Sequence, residues 1–162
     1  MTSTRTAWNA TALPCTLLIS GLLLGCPLGP FSGGSLSGEV QAGPTADWSF
    51  VADVENCQLE TNPEDPHSIN CWCAGYQGNV YVPSSMILGP TSPSEREWVQ
   101  NVQNDAAVRL RVGDRVYERA AVRVAEGAEY DAVVAVLEKK YEADPADREP
   151  EREIWLYRLE AR

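Results

Sequence analysis

Residues 92–124, SPSEREWVQNVQNDAAVRLRVGDRVYERAAVRV, constrain the fold more than any other stretch of the chain. Val108, Leu110 and Val112 alternate with polar residues. Past Gly113-Asp114 the alternation resumes at Val116, Ala120, Val122 and Val124, the period-2 pattern of paired strands with one buried face. Ahead of them, Ser92 and Glu95 form an S-x-x-E capping box with Pro93 at the first helical position, where its missing N–H is harmless. The spacing predicts a helix with Trp98, Val99 and Val102 on one face, ending at Asn104-Asp105. A two-residue turn at Gly113-Asp114 sends the apolar residues of the two strands to opposite faces. A three-residue turn, Gly113 to Arg115, sets Val112 opposite Val116 and restores one apolar face, so the longer turn with a bulge is expected. It places Glu118 opposite Leu110, where a carboxylate is expected to pair with an arginine or sit at the barrel rim rather than to catalyse.

The flanking sequence reads as more strands and one more helix. Residues 47–51 (DWSFV) form a strand candidate with Trp48 and Phe50 on one face. Residues 54–61 and 68–74 flank the Pro-rich acidic turn 62–66 and read as a hairpin. Centred near Glu64, it pairs Cys57 with Cys71 and Leu59 with Ile69, with Cys73 on the same side. A strand at residues 80–82 is expected to stop at Pro83. Tyr130, Val133, Leu137 and Tyr141 fall at helical spacing, with Glu126, Glu129 and Asp131 early and Lys139-Lys140 late, as the helix dipole favours. Residues 154–157 (IWLY) are apolar on both faces, which marks a central strand.

A formal charge of −10 over 162 residues excludes a nucleic-acid partner, because binding a polyphosphate depends on Lys and Arg displacing counterions. Residues 1–25 carry one basic and no acidic residue, with an apolar run at 16–25 too short to span a bilayer. They read as a signal peptide. Leu23-Leu24-Gly25-Cys26 resembles the lipobox of bacterial lipoproteins, which makes Cys26 the lipidated residue and places the protein in the cell envelope, on the periplasmic or outer-membrane side. Residues 26–46, rich in Gly, Ser and Pro, then read as a flexible tether with an end-to-end distance of about 25 Å. Residues 47–162 form the domain.

Its order of elements resembles the FMN-binding split β-barrel of the pyridoxamine-phosphate-oxidase-like proteins, in particular the deazaflavin-dependent nitroreductase branch. The likeness is carried by Tyr81-Val82-Pro83-Ser84-Ser85, by Glu97-Trp98-Val99, and by Asn104 to Val108 leading to Gly113. It implies an α+β fold, an antiparallel split β-barrel of about six to seven strands with two flanking helices. It also implies a pocket at Ser84, Ser85, Arg96 and Trp98 for FMN or a deazaflavin, and allows a homodimer. Residues 84–93 contain no basic residue, so a cofactor phosphate would depend on Ser84, Ser85, Thr91, backbone N–H groups and Arg96. Two functions are carried forward: a lipid-anchored binding or interaction module without catalytic signature, and a flavin- or deazaflavin-dependent reductase.

Cys57, Cys71, Cys73 and His67 could serve zinc, but no C-x₂-C pair accompanies them and no metal is expected. A disulfide from Cys57 to Cys71 or Cys73 suits an exported protein. Buried free thiols are the remaining outcome. His67, the one histidine, is expected at an exposed turn, and no nucleophilic triad can be assembled around it.

Overall fold

In the computed structural model, which describes residues 33–41, 43–45 and 47–162, ten regular elements follow one another. They are β1 (Glu39–Gln41), β2 (Cys57–Thr61), β3 (His67–Cys71), β4 (Ala74–Tyr76), β5 (Asn79–Ser84), α1 (Glu97–Asn104), β6 (Ala107–Val112), β7 (Arg115–Val124), α2 (Ala128–Tyr141) and β8 (Trp155–Ala161). Seven strands form one sheet in the order β3-β2-β6-β7-β8-β5-β4, all neighbours antiparallel. Its two end strands, β3 and β4, are separated in the chain only by Trp72 and Cys73. The sheet therefore curls back on itself, and with two helices this is the α+β split barrel expected. The signal peptide and Cys26 lie outside the described residues.

The hairpin of β2 and β3 has the register read from its turn, Cys57 opposite Cys71 and Leu59 opposite Ile69. The β6–β7 hairpin does not. Val112 pairs directly with Arg115 across the two-residue turn Gly113-Asp114, and Gly113 supplies the left-handed φ of +63° that such a turn requires. The physical reason is that β7 is buried on both faces. Tyr117 and Ala121 face the barrel interior with Leu110, while Val124 joins the cluster beneath α2. Val116 is fully buried where Val40 of β1 pairs with it. Glu118 consequently lies opposite Arg109, on the exposed side of the strand, within 4.0 Å of Arg162.

Three further expectations change. Residues 49–53 form a 3-10 turn rather than a strand, with Trp48 buried and stacked near Phe50 and Tyr117. Ser92 makes no capping bond to a backbone N–H and instead meets Ser94 Oγ at 2.9 Å. A short 3-10 turn at Pro93–Glu95 intervenes, and α1 starts at Glu97. Strand β5 continues through Pro83 to Ser84, beyond the end of β4, where only β8 flanks it and a proline is tolerated. The rest of α1, all of α2 and the central place of β8 agree with the spacing read from sequence.

Two clusters hold the layers together. Inside the curl, Trp98, Val99 and Val102 of α1 pack on Leu59, Val82, Leu110 and Tyr157, each such side chain contributing roughly 1.5–3 kcal/mol on burial. Outside it, Val133, Val134 and Leu137 of α2 cover Ala74, Tyr81, Val124 and Leu156. The N-terminal stretch is part of this body. Gly33 and Ser68 exchange backbone hydrogen bonds of 2.7 and 2.8 Å. Leu36 is buried, with its N–H on the Glu60 carboxylate, which Arg109 neutralises at 3.1 Å. Within the expected tether of residues 26–46, residues 33–41 are thus bound to the sheet rather than free coil.

Candidate functional site

Where β3 ends and β5 runs out, the sheet leaves an opening, and α1 sits across it. Ser84 and Ser85 lie at the end of β5, Trp98 is in the first turn of α1, and Arg96 immediately precedes that helix. All four sequence-predicted pocket residues line one cavity of about 330 Å³, at the lower end of the range for small-molecule sites. Ile69, Cys71 and Trp72 from β3 and its exit, and Met86, Ile87 and Leu88 from the following loop, complete its wall. Its surface is therefore largely apolar and aromatic, with one cationic end.

That end is built around Arg96. Its Nε donates to Ser85 Oγ at 2.8 Å and its Nη2 donates to the Leu88 carbonyl. Ser85 is held at φ +60°, in the left-handed region, which costs a non-glycine residue roughly 1–2 kcal/mol and is typical of functional loops. Gly89, at φ +86°, gives Arg96 its room, since a Cβ there would fall 2.3 Å from Nη2. A second arginine straps the same loop from far along the chain. The Arg152 Nη groups donate to the carbonyls of Gly89 and Pro90 at 3.1–3.2 Å and to the Glu149 carboxylate at 2.9 Å.

The charges are not balanced. Among the described residues no carboxylate lies within ion-pair distance of Arg96, and residues 1–32, 42 and 46 contain no Asp or Glu. Burial, and secondarily the nearby Arg152, depress the Arg96 pKa, and a half-buried cation in that position favours an anion. Arg152 Nε is buried with no hydrogen-bond partner among the described residues. Arg96 Nη1 makes no hydrogen bond to the described protein either. Of the two arginines only Arg96 lines the cavity, and its Nη1 with Ser84 and Ser85 fits the anionic part of a cofactor, while the Trp98 and Trp72 side fits a flat ring. Trp98 is fixed edge-on against Tyr157 and Trp72 is stacked on Tyr141 at 4.2 Å.

The described residues of this wall offer no ordinary acid or base. No Asp, Glu, His, Lys or Tyr is among the lining residues, and burial pushes the Cys71 thiol up to about 12, which leaves almost no thiolate near neutrality. The three cysteines among the described residues resolve into a Cys57–Cys73 disulfide, Cα atoms 6.1 Å apart, and a free, buried Cys71. His67 is not in an exposed turn: it begins β3, mostly buried, with Nδ1 3.3 Å from Glu97. It stands four residues from Cys71, and no metal-holding cluster exists among the described residues. Thr91 is not brought into the cavity; its carbonyl instead accepts from the Glu153 N–H at 3.0 Å.

Sequence reasoning missed Arg152, the place of Cys71 in the wall and the apolar loop 86–88; Trp72 is one of four tryptophans, with Trp48, Trp98 and Trp155, that sequence alone offers as either pocket-lining or packing residues, and of these Trp72 and Trp98 line the cavity. Cys71 was readable as an inward-facing strand residue, but Arg152 sits in an ordinary charged loop and carries no local signal.

No family model matches the chain, and no curated protein matches it in sequence. Solved structures do match it in shape. An F420-H2-dependent reductase aligns with a TM-score of 0.52 at 18% identity, over 65% of this chain and 93% of that one. A Listeria innocua protein described as a candidate pyridoxamine 5′-phosphate oxidase aligns at 0.50 and 13%, over 67% and 85%. HutZ, a heme storage protein of Vibrio cholerae, aligns at 0.51 and 15%, over 70% and 85%. Likeness at such identities is a likeness of fold, and it establishes the domain as a split β-barrel of the shape shared by those proteins.

Proposed function

We propose that this is a lipid-anchored cell-envelope protein whose split barrel binds a flat aromatic ligand bearing an anionic group, of the FMN or deazaflavin type. The observation that carries the reading is the partly buried Arg96, without a carboxylate partner, at one end of an otherwise apolar, tryptophan-lined cavity. In this reading Arg96, Ser85 and Ser84 hold the anionic part while Trp72, Trp98, Met86 and Ile87 enclose the ring. A bound flavin or deazaflavin supplies hydride chemistry of its own. The chain's residues would orient it and exclude water, since none of those lining the cavity is suited to move a proton.

The reductase reading follows from the same site. It is favoured by the shape shared with the F420-H2-dependent reductase and by the absence of any need for a protein acid or base in hydride transfer. The export reading draws support from the Cys57–Cys73 bridge, because disulfides persist in oxidising compartments, and from the lipobox-like Leu23 to Cys26.

The test is to offer the purified full chain FMN or F420 and pass it through gel filtration. Visible absorbance that travels with the protein is expected. Chromophore that elutes entirely in the small-molecule volume, with both cofactors, contradicts the reading.

A further inference from the structure

The chain enters the barrel beside the cavity. Gly33 is bridged to Ser68 of β3 by two backbone hydrogen bonds. The next residues of that strand, Ile69 to Cys71, and Trp72 after it, form one wall of the cavity. The expected lipid-bearing residue, Cys26, lies only seven residues before Gly33, and seven residues reach at most about 25 Å when fully extended. A compact domain of this length is roughly 35 Å across. A lipid at Cys26 therefore cannot let the domain turn its far side to the bilayer, and the orientations it allows include those in which β3, beside Gly33, and the cavity it walls face the membrane.

The mouth of the cavity is suited to that contact. Leu88, on its rim, is 79% exposed, the largest value among the exposed large hydrophobic side chains of the described residues, and Ile87 beside it is partly exposed. An isolated exposed leucine would be unremarkable on a surface. Here it rims the same cavity that Ile69 to Trp72, the residues following the Gly33–Ser68 bridge, wall on the other side. The tether also makes the encounter intramolecular, at an effective concentration on the order of millimolar, so a small apolar contact is enough to orient the domain. The net charge of −10 repels an anionic surface, which makes a zwitterionic one the better match.

We propose that the rim of the cavity, with Leu88 outermost, docks on the lipid surface to which Cys26 anchors the chain, so that the cavity opens toward the bilayer. The proposal rests on the lipid-anchor reading. It is independent of which ligand the cavity takes.

The test uses the full, lipidated chain on phosphatidylcholine vesicles, with an environment-sensitive fluorophore attached to Leu88→Cys or, as a control away from the cavity, to Val122→Cys. Cys71 is buried and Cys57 and Cys73 are bridged, so the unsubstituted chain serves as the labelling blank. Protein floating with the vesicles, with the label at 88 several-fold less accessible to an aqueous quencher than the label at 122, is the expected result. Equal accessibility at the two positions on vesicle-bound protein overturns the docking and leaves the anchor intact. Failure to float overturns the anchor and the docking together. Shielding of position 88 that is the same without vesicles marks a protein-facing surface instead and also overturns the proposal.

Discussion

Arg96 Nε donates to Ser85 Oγ at 2.8 Å, so the residue that leads into α1 fixes a serine held at φ +60°. The contact and the backbone conformation act in opposite directions on stability. Ser85→Ala removes the charge-assisted bond and keeps the unfavourable φ, and is expected to cost about 1.5–3 kcal/mol. Ser85→Gly removes the same bond but relieves roughly 1–2 kcal/mol of conformational cost, so its loss should be smaller. Urea denaturation of the two variants orders them, and an alanine variant as stable as the glycine one would mean the φ carries no penalty.

The Cys57–Cys73 bridge closes a sequence separation of 16, for which chain entropy suggests about 3 kcal/mol of stability. Cys73→Ala, or reduction of the wild type, should lose that amount. Cys71→Ala keeps the bridge and should cost only about 1 kcal/mol for a small cavity. Denaturant midpoints with and without reductant decide it: the wild type and Cys71→Ala should be sensitive to reductant, and Cys73→Ala should not.

Arg119 is 1% exposed and, among the described residues, has no carboxylate within ion-pair distance, and burial depresses its pKa. It donates to the Gly43 carbonyl at 3.2 Å and to Thr45 Oγ1 at 2.9 Å, with its guanidinium 5.2 Å from the Trp48 ring. Arg119 thus clamps the incoming segment on the barrel. Arg119→Ala loses charge-assisted hydrogen bonds together with the packing of the stem and should destabilise by about 1.5–3 kcal/mol, whereas Arg119→Met retains the packing and should cost less. Limited proteolysis between residues 43 and 47 should accelerate in the alanine variant.

Alkaline pH should unfold this protein in a defined window. Burial raises the Cys71 thiol from 9.0 to about 12, and raises Tyr141 and Tyr157 from 10.0 to about 12. Tyr81 is raised to the same value by burial and then by Glu129. In each case the unfolded group releases its proton first, so the stabilisation is complete below the unfolded value and is lost as pH rises toward about 12. Stability measured in denaturant should fall from pH 9 onward. Cys71→Ala should flatten the curve between pH 9 and 10, and an unchanged slope would remove Cys71 as its source.

The parts of the fold readable in sequence were those set by local periodicity. The Cys57–Cys71 register, the buried face of α1 and the whole of α2 follow from alternation and 3.6-residue spacing. The β6–β7 turn was not readable, because Val116 is buried by β1, a strand 76 residues earlier in the chain, and pattern alone assigns every apolar residue to one face. The same limit applies to the site. Ser84, Ser85, Arg96 and Trp98 are close in sequence and met in one cavity. Arg152 reaches Gly89 across 63 residues, a closure that only the completed sheet brings about.

The most direct measurement of the central claim is a titration of tryptophan fluorescence, since Trp72 and Trp98 line the cavity. FMN is compared with riboflavin, which lacks the phosphate, on the wild type and on Arg96→Gln. Quenching by FMN with a dissociation constant on the order of micromolar and binding of riboflavin about tenfold weaker are expected. Arg96→Gln should erase that difference while leaving riboflavin binding nearly unchanged. Quenching by FMN that is the same in Arg96→Gln as in the wild type, or no quenching of the wild type by either FMN or F420, would contradict the central claim.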